Sequence, residues 1–151
     1  GDGIPLDAFK VDHACGAVER KILEYHKNDL IIVEGQGSLL HPGSTATLPL
    51  IRGSCPTHLI LCHRAEKQNL RYPENIQIPN LKKFIELNEN LSHVFGSFPM
   101  AKCIGVSLNT SKLNENDAQK IIKEITKITG LPVTDPVRYG VEKICKDLLA
   151  D

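Results

Sequence analysis

Glu34 ends an apolar run, Leu30-Ile31-Ile32-Val33, and is followed by Gly35, Gln36, Gly37 and Ser38. A carboxylate so placed can hold a magnesium ion or its water, or orient a nucleophile; it can also merely cap the next turn. The glycines let backbone N–H groups approach an anion closely. Because the same loop brings Gln36, Ser38 and His41, the chemical reading is favoured over the cap. His63 directly follows a second apolar run, Leu59 to Cys62, and His41 and His63 can each act as general acid or base near neutral pH or serve structure alone. Asn109-Thr110 follow a third run and offer donors and acceptors that read a base or a substrate amide, or cap a helix. Arg138 can clamp a carboxylate or phosphate through two parallel N–H bonds, or pair with Asp135. Asp135 itself, standing before Pro136, reads as a helix N-cap and not as a catalyst.

These residues matter only if the chain gathers them. Val11, Cys15, Val18, Ile22 and Tyr25 fall at helical spacing, which predicts an amphipathic helix over about Asp12–His26. The continuous β-branched run Leu30–Val33 reads as a strand buried on both faces. A short helix is expected near Ala46–Arg52, a strand at Leu59–Cys62, a polar loop over Arg64–Pro79 and a helix carrying Leu81, Phe84, Ile85 and Leu91. A strand at Cys103–Leu108 follows. Next comes a helix faced by Ala118, Ile121, Ile122, Ile125 and Ile128, with a cap at Asn114 or Asn116 and a positive-φ terminator at Gly130. A fourth strand, Leu131–Thr134, and a last helix burying Val137, Val141, Ile144, Cys145 and Leu148 close the chain. Such alternation predicts an α/β domain, a mainly parallel sheet with helices on both faces. Ligands of open parallel sheets sit beyond the carboxyl ends of the strands, so the four polar tips are expected to meet in one crevice.

Composition narrows the classes. One domain fits 151 residues, and 41% hydrophobic with 24% charged residues is globular. Eighteen basic residues balance eighteen acidic ones, leaving no general positive field for nucleic acid or acidic membranes. Apolar runs stop at four residues, far short of the ~20 that span a bilayer, and nothing resembles a signal peptide. Five cysteines without a C-x-x-C pair suggest reduced thiols and a cytoplasmic protein. The opening GDGIPLDAF, without Met, suggests an expression scar, a processed product or part of a longer protein. Cys55, His58, Cys62 and His63 do not make a zinc site, because His58 to Cys62 along a strand spans about 13 Å. Gly35-Gln36-Gly37-Ser38-Leu39 misses the G-x-S-x-G nucleophile elbow. No glycine precedes a lysine, so the phosphate loop G-x-x-x-x-G-K-[ST] does not occur in the chain.

GIPLDAFKVDHACGAVE, VEGQGSLLHPGS, LCHR, GVSLNT and TGLPVTDPVRYG together resemble the carboxy-terminal domain of the D-glutamate N-acetyltransferase-like family, first described as a domain of unknown function. The likeness covers nearly the whole chain. It implies a three-layer domain of P-loop NTPase type, here without its phosphate loop, forming the carboxy-terminal part of a two-domain protein. It further implies acetyl transfer from acetyl-CoA to the amino group of D-glutamate or a related amino acid. A weaker similarity to dethiobiotin synthetases implies Glu34 as a metal-facing carboxylate and Asn109 as an adenine reader. Under acetyl transfer, Gly35, Gln36 and Gly37 would offer N–H groups to the oxyanion, Glu34, His41 or His63 the base, and Arg138 a grip on the glutamate carboxylate. The alternatives are an ATP- and magnesium-dependent ligase or kinase, and a non-catalytic nucleotide-binding domain. The expected partner is a small-molecule substrate, with self-association common in this architecture.

Overall fold

The computed structural model describes residues 2–8, 10–35, 38–146 and 148. Helix α1 (Val11–Glu24) and helix α2 (Thr47–Ser54) precede strand β1 (His58–Arg64). Helix α3 (Leu81–His93) leads to strand β2 (Lys102–Asn109), and helix α4 (Glu115–Thr129) to strand β3 (Val133–Thr134). Two short helices, α5 (Pro136–Tyr139) and α6 (Glu142–Cys145), complete the order. The sheet is parallel throughout in the order β1-β2-β3, and its central strand is buried along most of its length.

The core forms where the periodicities agree. Helix α4 buries Ala118, Ile122 and Ile125, one stripe at i, i+4 and i+7. It starts at Asn114, whose side chain accepts from the Asp117 N–H, and stops at Gly130 with φ of 73°. Ile128, expected on this face, stays 40% exposed instead. Ile122 and Ile125 meet Ile85 of α3, Val106 and Leu108 of β2 and Val133 of β3. On the opposite face α6 lies close to β2 because position 105 is glycine. A Cβ there would stand 2.8 Å from Ile144 Cγ1 and 3.0 Å from the Pro132 carbonyl. Helices therefore cover both faces of the sheet. Helices α1 and α2 cross at Gly53, where a Cβ would meet the Cys15 carbonyl at 2.5 Å. Arg52 fastens this pair to α3: it donates to the Leu91 and Ser92 carbonyls, and its guanidinium lies 4.7 Å from the Phe98 ring centre.

Two expectations fail. Leu30–Val33 forms no strand; it is unpaired among the described residues, and Ile32 is 83% exposed. β-Branched composition favours a strand only where a neighbour supplies the ladder, and β1 pairs with β2 alone. The final helix is also broken. Gly140, at φ of 78°, separates α5 from α6, and its carbonyl accepts from Thr134 Oγ1 at 3.1 Å. Ile144 remains buried, but Val137 is 95% exposed and Val141 is exposed as well. All five cysteines are free thiols. Among the described residues no helix is long and apolar enough to cross a membrane.

Candidate functional site

The carboxyl ends of β1 and β2 and the start of α5 surround a cavity of about 830 Å³, of the size that takes a small ligand. His63, Asn109 and Arg138 all line it, and Ser38 enters from the glycine-rich loop. Arg64 and Asn109 are register partners on neighbouring parallel strands, so their side chains leave the same face about 4.8 Å apart. Burial holds the His63 imidazole below the ordinary histidine value of 6.5, with the charge of Glu66 acting the other way. His63 is thus neutral at physiological pH and able to accept a proton.

Beneath the cavity lies a hydrogen-bonded node that positions the tips. Asp135 is 3% exposed and caps α5 as expected, Oδ1 accepting from the Val137 and Arg138 amides at 3.0 and 3.2 Å. Its Oδ2 accepts from the Thr110 amide at 2.9 Å and the Thr110 hydroxyl at 2.5 Å. Burial works to raise the Asp135 pKa, but these four donors together outweigh it and hold the carboxyl below its ordinary value. Thr110 is fully buried, so its hydroxyl anchors the tip of β2 and does not face the cavity. Arg138 does not pair with Asp135. Its Nη2 donates to the Thr110 and Leu113 carbonyls at 3.1 and 2.5 Å, and its Nη1 to Glu115 at 3.3 Å. Two of its five N–H groups remain for a ligand. Asn109 Oδ1 accepts from the Ser111 amide at 3.0 Å, while its Nδ2 has no partner among the described residues.

The expected single crevice is divided. Glu34 and Gly35 line a second cavity of about 680 Å³, walled by α1, Leu30–Val33 and Leu50. Gly35 packs so closely on Leu50 that any side chain there would overlap it. Glu34 is exposed, and among the described residues no three His, Cys, Asp or Glu side chains converge as a metal site. Gln36 and Gly37 lie outside the described residues. Gly35 belongs to one cavity and Ser38 to the other, and three residues span at most about 11 Å. His41 joins neither lining; its Nδ1 accepts from the Gly43 amide at 3.1 Å and shapes the turn.

Sequence reasoning passed over the segment after β1. Residues 65–79 fold back on themselves, with the Ile78 amide donating to Gln68 at 2.7 Å and the Leu70 amide to Ile76 at 2.9 Å. That places Leu70 and Ile78 on the cavity wall together with Lys67 and Arg71. The isolated apolar residues of a polar stretch were the signal available. Glu66 was missed as well: both carboxylate oxygens are buried without a hydrogen-bond partner among the described residues, with Arg64 Nε 3.8 Å from one of them.

Comparison with known proteins gives this geometry a family. Residues 1–145 match the model described as "Domain of unknown function (DUF1611_C) P-loop domain". A D-glutamate N-acetyltransferase of Tritonibacter scottomollicae is 33% identical over 151 residues, covering 99% of the chain and 45% of the relative. A protein of the same name from a Pseudoalteromonas species is 31% identical over 149 residues, covering 98% of the chain and 44% of the relative. The chain thus spans less than half the length of these curated relatives. The crystal structure of a DUF1611 family protein from Anabaena variabilis superposes with a TM-score of 0.95 at 46% identity, covering 100% of the chain and 44% of that protein. With the family's α/β fold present across the whole sheet, and nearly all of this chain aligned to part of both D-glutamate N-acetyltransferases, the chain belongs to the DUF1611 P-loop domain family, the D-glutamate N-acetyltransferase-like proteins.

Proposed function

We propose that the protein is an N-acetyltransferase in which the cavity at the strand tips receives acetyl-CoA and the amino group of D-glutamate or a related amino acid. The observation that carries this reading is the meeting of a neutral, half-buried His63 with Asn109 and Arg138 in one cavity. Two relatives that bear the name of that activity support it. The amine must lose a proton to attack the thioester carbonyl, and His63 accepts it. The new C–N bond forms, the C–S bond breaks, and the thiolate leaves with the proton returned from the imidazolium. Arg138 offers its two remaining N–H groups to a substrate carboxylate, and the free Asn109 amide suits the edge of adenine. Glu34 brings a single exposed carboxylate, so no step is routed through a magnesium ion.

Adding acetyl-CoA and D-glutamate to the protein and following free thiol tests the proposal. Thiol release matched by N-acetyl-D-glutamate is expected, reduced about 100-fold or more in His63→Gln. A folded protein that binds acetyl-CoA and releases no thiol overturns it. An ATP-dependent ligase or kinase, the reading that the family's P-loop description favours, would instead turn over nucleotide only with magnesium.

A further inference from the structure

The charge around the cavity departs from that of the chain. Eighteen cations and eighteen anions balance overall, yet the cavity lining carries Arg64, Lys67, Arg71 and Arg138 against one carboxylate, Asp135. Asp135 is saturated by four donors and Arg138 is largely engaged by the loop after β2. The side chains of Lys67 and Arg71 have no hydrogen-bond or ion-pair partner among the described residues, and that of Arg64 has only the 3.8 Å approach of Glu66. All three belong to the strand tip and the folded-back loop that follows it. That loop is pinned to the site: the Ala65 amide donates to the Asn109 carbonyl at 3.1 Å, and the Lys67 amide to the Arg64 carbonyl at 3.1 Å. Its apolar residues Leu70 and Ile78 turn toward the cavity. An apolar wall edged by Lys67 and Arg71, with Arg64 only weakly paired to Glu66, beside a free amide on Asn109, suits a nucleobase followed by phosphate. The chain has no G-x-x-x-x-G-K-[ST] segment, and the cations of this loop offer side-chain donors for an anion.

We propose that Arg64, Lys67 and Arg71 form an anion subsite that reads the 3′-phosphate of coenzyme A. The inference rests on the reading that the cavity takes acetyl-CoA. With adenine against Asn109, the attached ribose reaches the neighbouring Arg64 and the loop, whereas the pyrophosphate leads away toward the thioester. The subsite gives the protein a means of separating coenzyme A from nucleotides that lack the 3′-phosphate.

Calorimetric titration of the protein with coenzyme A and with 3′-dephospho-coenzyme A tests this. Coenzyme A is expected to bind about tenfold more tightly at low ionic strength, with the preference shrinking as salt rises. The double substitution Lys67→Ala and Arg71→Ala brings the two affinities together while leaving that for the dephospho form unchanged. Equal affinities in the unaltered protein, or a preference that survives the double substitution, overturn the subsite while leaving the acetyl-CoA reading intact. Binding of neither coenzyme removes both.

Discussion

Asp135 joins three segments through one buried carboxylate: the tip of β2, the start of α5 and, by way of Thr110, the loop that Arg138 braces. Replacing it with alanine removes both capping hydrogen bonds of α5 and leaves the buried Thr110 hydroxyl unsatisfied. Asp135→Ala should cost about 2–4 kcal/mol, read from urea unfolding at neutral pH. The folded carboxyl titrates below its ordinary value of 3.8. Its stabilisation is therefore complete above that value and is lost as pH falls through the lower folded value. The difference between the two proteins should narrow on acidification below about pH 4 and stay constant above about pH 5. A difference that grows in acid would mean that the carboxyl is not held by these donors. The N-cap role of Asp135 was legible because Asp-Pro is a local signal, whereas the partner of Arg138 was not. Glu115 is 23 residues away, and only the packed loop reveals the pair.

At the scale of the elements, local chemistry and nonlocal pairing part company. Helix α4 was readable from its cap, its stripe and Gly130, all within one stretch of sequence. The strand expected at Leu30–Val33 was not, because the ladder depends on a neighbour that no local pattern specifies. Val137 was assigned to the core from helical spacing, but Gly140 ends α5 after one turn and leaves Val137 at the mouth of the cavity. Residues 65–79 read as a polar loop and proved to be a wall of the site, since a few apolar residues within it turn inward. Gly105 carries a prediction at this scale. Gly105→Ala should cost about 1–3 kcal/mol by pressing a methyl against Ile144 and Pro132. Gly130→Ala, with open space but φ of 73°, should cost about 1 kcal/mol. In an Ile144→Ala background the first cost should shrink and the second should not, a double-mutant cycle that thermal or urea unfolding can read. Equal costs of Gly105→Ala in both backgrounds would contradict the packing of α6 on β2.

For the whole molecule, the sheet has a well-covered centre at β2 and a partly bare margin at β1, whose Ile60 is 44% exposed. Leu30–Val33 adds further exposed apolar surface, and a zero net charge gives little repulsion between molecules. The proposed small-ligand site lies instead at the carboxyl ends of parallel strands, where the cavity gathers His63, Asn109 and the start of α5. Titrating acetyl-CoA into ¹⁵N-labelled protein and following the amide resonances tests that placement most directly. The account predicts shifts at Arg64 to Lys67, Asn109 to Ser111 and Val137 to Arg138, including the Asn109 side-chain amide, with Leu30 to Val33 unmoved. Shifts confined to Leu30–Gly35 and the face of α1, or none at saturating acetyl-CoA, would contradict it.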